Sequence, residues 1–168
     1  MVPPPLAEGG KTRVDLGRRG PAAECYRKAG PGAMKLVAVT GATKGLGLAI
    51  SRRLLDEGYG VVGLSRGMTD AFAALIDKHG SNASFQTIDL ADAEMVAKVG
   101  RALVKRHPDV HGLVNNAAMA EDGVLATMHV SRMEALLRTN LLGPMVLTKH
   151  VMRAMLVVYT LPKGLDLS

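Results

Sequence analysis

The segment Thr40-Gly41-Ala42-Thr43-Lys44-Gly45-Leu46-Gly47 constrains this chain more than any other, because of what flanks it. Residues 35–40 form a short run rich in β-branched side chains, as a strand does, and residues 46–57 are amphipathic, as a helix is. A strand that enters a helix through glycines brings unpaired helix N–H groups and accessible backbone to one point, which suits a phosphate. Gly41 would allow the tight turn, Gly45 would let backbone approach a diphosphate, and Gly47 would let helix and strand pack without a Cβ between them. Gly41, Thr43, Lys44, Gly45, Leu46 and Gly47 are therefore candidate dinucleotide-binding residues. A Walker-type loop is excluded because no Gly-Lys-Ser/Thr follows. A plain glycine-rich connection between strand and helix is the alternative.

The alternation continues. Strand-like runs at 35–40, 61–65, 84–88 and 111–115 are separated by helical stretches at 46–57, 69–79 and 92–106, closed by Gly58, Gly80 and Pro108. Ser131 and Glu134 have the spacing of a capping box and predict a fourth, long helix from there to Leu156. Strands joined through helices must run parallel, with right-handed crossovers and helices on both faces. The expected fold is therefore α/β, a doubly wound parallel sheet of the Rossmann type that stops after its fourth strand and the long helix that follows.

At 168 residues the chain has room for one domain of ordinary size. Residues 1–33 hold five of its eight prolines and six of its nineteen glycines without strand or helix periodicity, and are expected to be a disordered leader. Residues 34–156 would be the folded domain and 157–168 a divergent tail. The leader lacks the apolar stretch of a secretory peptide, and its three acids and lack of serine fit a transit peptide poorly.

Composition removes other classes of function. No apolar run reaches the roughly 18 residues a membrane span needs. Cys25, the single cysteine, cannot form an internal disulfide, so a cytoplasmic location is expected, organellar import being the alternative. Half of the net charge of +6 falls in the leader, and with no Trp, two Phe and three Tyr the chain lacks a base-stacking platform. No nucleic-acid or membrane partner is expected. No Cys/His spacing resembles a zinc site, and His107 and His111, separated by Pro108, read as surface residues. Met145, Met152 and Met155 have the spacing of a buried helix face.

The second strand-like run ends Leu64-Ser65-Arg66, where an NAD-selective site usually places a carboxylate for the ribose hydroxyls. Arg66, with Lys44 in the turn, suits a 2′-phosphate instead, so the expected cofactor is NADP(H). A solvated loop charge is the alternative for Arg66.

The turn, then Asp89-Leu90 after the third run, Asn115-Asn116-Ala117-Ala118 after the fourth and Asn140 in the next helix together resemble the short-chain dehydrogenase/reductases, over residues 35 to about 156. Asp122-Gly123-Val124-Leu125 followed by Met128 is similar to the corresponding segment of 3-oxoacyl-acyl-carrier-protein reductases. The resemblance implies that Asp89 bonds the adenine amino group with the Leu90 backbone beside it, that Asn115 ties strands together, and that Ala117 lies near the cofactor ribose. Ala118 departs from the family's usual glycine. Asn140 would be the family's catalytic asparagine, whose main-chain carbonyl holds a water in a proton relay. Pro144, four residues later, has no N–H to give that carbonyl, although a packed helix can also simply kink there.

In the family a Tyr protonates the developing alkoxide, helped by a Lys, while a Ser orients the carbonyl. No serine-bearing fifth strand precedes Tyr159, and Pro162 interrupts the helix that would align Tyr159 with Lys163, so their family-like spacing is read as accidental. The expectation is the NADPH-binding part of a short-chain reductase that binds nucleotide without turnover, its complete form reducing a 3-oxoacyl thioester or similar carbonyl. The alternative is a noncatalytic nucleotide-binding or interaction module that pairs with full-length reductases. An unpaired fourth strand would favour self-association in either case.

Overall fold

Strand β1 (Leu36–Thr40) is buried along its whole length and runs directly into the glycine turn. Beside it lie β2 (Gly60–Ser65) on one flank and β4 (Gly112–Val114) on the other, with β3 (Ala83–Thr87) outside β2. All pairings are parallel, and Val39 stands opposite Gly63 on one side and Val114 on the other. The computed structural model describes residues 34–160. The leader and the tail from residue 161 on, with the expectations placed on them, lie outside the described residues.

The order β3-β2-β1-β4 means that the chain steps outward twice from β1 and then crosses back to its other side. In such a sheet the crevice beyond the carboxyl ends of the strands, at the point of reversal, is where ligands bind. That point is the end of β1.

Helices cover both faces. On one side α1 (Gly45–Asp56) and α2 (Asp70–His79) pack over Val37, Val39 and Val61, with Leu55, Phe72 and Leu75 buried there. On the other, α3 (Ala93–Arg106) and α5 (Gly143–Thr160) cover Leu36, Ala38, Val62 and Leu64 through Val96, Leu103, Leu147 and Val151. Alternate strand residues face opposite sides. With both sides buried, β1 and β2 read as continuous apolar runs rather than alternating ones. No helix among the described residues is long and apolar enough to cross a membrane.

Strand and helix positions agree with the sequence reading to within about two residues, up to β4. The last helical region differs. It is two helices, α4 (Val130–Leu137) and α5, joined by a π-helical segment at Arg138–Leu142. Gly143 N–H donates to the Arg138 carbonyl, five residues back, and Pro144 follows with no N–H of its own. The predicted capping box is not formed: the amides of Arg132 and Met133 donate to the His129 carbonyl, so the helix closes before Ser131 can cap it. At the other end α5 reaches Thr160, because nothing in 157–160 breaks a helix before Pro162. The first four residues assigned to the tail are thus helical.

Two further expectations are corrected. Leu147 and Val151 point α5 into the core, leaving Met145 and Met152 off that face and exposed, while Met155 packs partly against it. His107 and His111 are half-buried rather than on the surface, the His111 amide donating to the Leu36 carbonyl at 2.7 Å.

Candidate functional site

The end of β1 is fastened by one hydroxyl. Thr40 Oγ1 accepts from the amides of Asn116 and Ala117, each at 3.0 Å, and donates to the Val114 carbonyl at 3.3 Å. This holds the strand-end segment after β4 against the start of the turn. Asn116 Nδ2 donates to the Thr40 carbonyl at 3.0 Å and to the Gly41 carbonyl at 3.4 Å. Asn116, the neighbour of the Asn115 to which the resemblance gives a strand-tying role, thus joins the end of β4 to the end of β1. Side chains of consecutive residues point to opposite sides, and Asn115 Nδ2 reaches instead to Thr148 Oγ1 on α5 at 3.0 Å.

The turn needs its glycines. Gly41 and Gly45 have φ of 65° and 54°, a region that other L-residues rarely enter. At Gly47 a Cβ would fall within the Gly41 carbonyl, so the head of α1 closes on the turn only without a side chain there. The space at Gly45 is open, with nothing within 4 Å of where a Cβ would stand.

Hydrogen bonding polarises this turn. The carbonyls of Thr40 and Gly41 are taken by Asn116, that of Thr43 by Thr69 Oγ1 at 2.7 Å, and that of Lys44 by the amide of Leu48. No described protein group accepts from the amides of Ala42, Thr43 or Lys44. The next three, Gly45 to Gly47, are the first amides of a helix whose N-cap, Lys44, makes no side-chain cap. Both α2 and α3, by contrast, are capped, by Thr69 and Asp92. With these four carbonyls engaged and the amides unpaired, the turn presents more donors than acceptors, an arrangement that suits negative charge.

A cleft of about 430 Å³ opens beside it. Of the residues expected to bind a cofactor, Gly41, Thr43, Lys44, Arg66, Asp89, Leu90 and Ala117 line it together. Gly45, Leu46 and Gly47 form the adjoining head of α1, and Asn115, just after β4, lies off the cleft with its side chain on Thr148 of α5. Asp89 Oδ1 accepts from the Ala91 amide at 3.0 Å, which fixes the carboxylate at the rim. Ala118 also lines the cleft, and no described non-glycine residue has positive φ, so an alanine is accommodated there without strain.

Asn140 is not itself in the wall, but its amide grips a residue that is. Its Oδ1 accepts from the Met119 amide at 2.8 Å and its Nδ2 donates to the Met119 carbonyl at 2.7 Å. The side chain thereby clamps the loop after β4 to the π segment.

Sequence reasoning passed over four residues. Asn116 was overshadowed by Asn115. Thr69 was legible only as the start of a helix. Gly143, where a Cβ would fall on the Leu90 carbonyl, had Pro144 beside it as a signal of close approach. Ser65 carries a buried Oγ with no hydrogen-bond partner, at the end of β2 in the cleft wall. Among the described residues no group of three His, Cys, Asp or Glu could hold a metal ion.

Residues 35–164 match the family described as short chain dehydrogenase. A human 3-oxoacyl-[acyl-carrier-protein] reductase is 34% identical over 122 residues, 73% of this chain and 51% of the relative. The 3-oxoacyl-[acyl-carrier-protein] reductase FabG of Escherichia coli (strain K12) is 32% identical over 122 residues, covering 73% and 50%. The chain thus spans about half the length of the curated relatives it matches. Among solved structures, a metagenomic short-chain oxidoreductase in complex with NADP superposes with a TM-score of 0.68 at 30% identity, over 74% of this chain and 57% of that one. An actinorhodin polyketide ketoreductase with NADPH gives 0.65 at 31% identity, over 74% and 49%.

Proposed function

The chain belongs to the short-chain dehydrogenase family, and on that footing we propose that its cleft holds NADP(H). The observation that carries this reading is the polarised turn, in which the protein engages the carbonyls of Thr40, Gly41, Thr43 and Lys44 while the amides from Ala42 to Gly47 are left for an anion. The amides would take the diphosphate, and Asp89 the adenine amino group beside the Leu90 backbone. Arg66, with Lys44 in the same cleft lining, would hold the 2′-phosphate.

When bound, NADPH supplies a hydride to a carbonyl carbon. For the whole protein we take the substrate to be a 3-oxoacyl thioester, the class named for the human and Escherichia coli relatives. In that reaction Asn140 would hold a water on its main-chain carbonyl, which Pro144 cannot engage, while its side chain keeps Met119 in the cleft wall. A second reading, pairing with full-length reductases, is favoured by β4, which lies at the edge of the sheet among the described residues.

Titration of NADPH and NADH against the purified chain, followed by nucleotide fluorescence, tests the cofactor reading. NADPH is expected to bind at least about tenfold more tightly, and Arg66→Glu to reverse the order, since a charge-assisted pair is replaced by repulsion. Equal affinities, or an unchanged preference in Arg66→Glu, would remove the claim of NADP selectivity. Co-purification with a full-length reductase would support the second reading.

A further inference from the structure

Thr69 is the N-cap of α2, and its single hydroxyl does two things. It accepts from the Phe72 amide at 3.4 Å, capping the helix, and donates to the Thr43 carbonyl at 2.7 Å, 26 residues earlier in the chain. A hydroxyl has one proton and two lone pairs, so both bonds can be made at once. The second leaves α2 altogether and fixes the glycine turn.

From this we infer that Thr69 is a positioning residue of the phosphate turn, acting by orienting the peptide between Thr43 and Lys44. This peptide, like all those described, is trans, and a trans peptide holds its C=O and N–H antiparallel. Holding the Thr43 carbonyl toward α2 therefore holds the Lys44 N–H in the opposite direction. Without the hydroxyl, that peptide plane is free to turn, and a carbonyl facing the cleft would repel the anion that the amides attract.

The anchor behind Thr69 is rigid. Phe72, one turn further along α2, is fully buried and fills the space left on β2 by Gly63, where a Cβ would fall within its ring. Phe85 of β3 packs against the same ring at 6.0 Å between centroids. The turn is thus held on its far side by Asn116 after β4 and on its near side by Thr69, whose own position is set by the core.

The inference rests on the dinucleotide reading, and the test separates the two. Glycine caps a helix almost as well as threonine but has no hydroxyl, so Thr69→Gly removes the donor with little loss of capping. Thr69→Ser keeps both bonds. NADP+ affinity by calorimetry and thermal midpoint are measured on wild type and both variants. Thr69→Gly is expected to weaken NADP+ binding about three- to tenfold, the worth of one hydrogen bond, with its midpoint within about 3 °C of wild type. Thr69→Ser is expected to restore wild-type affinity. Unchanged affinity in Thr69→Gly, or a loss of affinity accompanied by an equal loss of fold in both variants, overturns the positioning role alone. Failure of the wild-type chain to bind NADP+ overturns the dinucleotide reading and this inference with it.

Discussion

Five of the six residues of β2 are buried, whereas all three residues of β4 are half-buried, although both strands pair in parallel with β1. On the β2 flank a further strand lies outside, and Phe72 locks α2 onto Gly63. On the β4 flank no further strand lies among the described residues, and α4 and α5 leave Leu137 and Met145 each 60% exposed and Met152 52% exposed. The glycine turn lies on the seam between these flanks and is fastened to both, through Thr69 on one side and Asn116 on the other. Stability should therefore be concentrated on the β2 flank, while ligand binding depends on the two together.

A matched pair of glycine substitutions gives the largest contrast. Gly63→Ala places a methyl within the Phe72 ring and is expected to cost about 3 kcal/mol. At Gly112 of β4 the nearest atoms to a new Cβ are those of Val37 at 3.4 Å, an ordinary contact, so Gly112→Ala should change stability by less than about 1 kcal/mol. Urea unfolding of both variants checks this. Equal costs would mean that the flanks are not mechanically distinct.

Next in size is the seam itself. Thr40→Val leaves the amides of Asn116 and Ala117 without their acceptor and is expected to cost about 2 kcal/mol in urea unfolding, and to weaken nucleotide binding as the turn loosens. Wild-type stability in this variant would show that the seam hydrogen bonds are dispensable.

The smallest effect is a difference in response to pH. Burial lowers the pKa of His107, His111 and His150, assisted in turn by Arg106, by Lys35, and by Arg101, Lys149 and Arg153. All three belong to α3, α5 or the approach to β4. Because their folded values lie below the ordinary value of about 6.5, the unfolded chain binds more protons as the pH falls through that region, and stability is lost there. On the β2 flank, the hydrogen bond from Lys78 holds Asp56 below the usual carboxylate range, so its contribution is lost only at much lower pH. Amide exchange at pH 5.5 against pH 7.5 should show faster opening of α3 and α5 than of α1 and α2, with His150→Gln reducing the difference. Uniform acceleration across both helix pairs would contradict this assignment.

The sequence was most legible where local rules and tertiary structure agree. β1 and the turn could be placed because a β-branched run, three spaced glycines and an amphipathic helix coincide, and each is a local property. Arg66, Asp89 and Ala117 could be brought to one cleft because parallel strands deliver their carboxyl ends to the same edge. Choosing between Asn115 and Asn116 required knowing which side of the strand end faces the turn. The Ser131 capping box failed because backbone bonds to His129 set the helix start first. Met145 and Met152 were misplaced because α5 carries another apolar stripe, through Leu147, Val151 and Ala154, and helical spacing alone does not say which stripe meets the core. Thr69 shows the same limit: its cap is local, but its bond to Thr43 spans 26 residues.

The central claim, that the unpaired amides of the turn receive the phosphates of a dinucleotide, is tested most directly by following the backbone amides of the labelled chain by NMR during titration with NADP+. Saturable shifts centred on Ala42 to Gly47, larger than those anywhere on α3 or α5, are predicted. Saturable binding with these six resonances unmoved would contradict it.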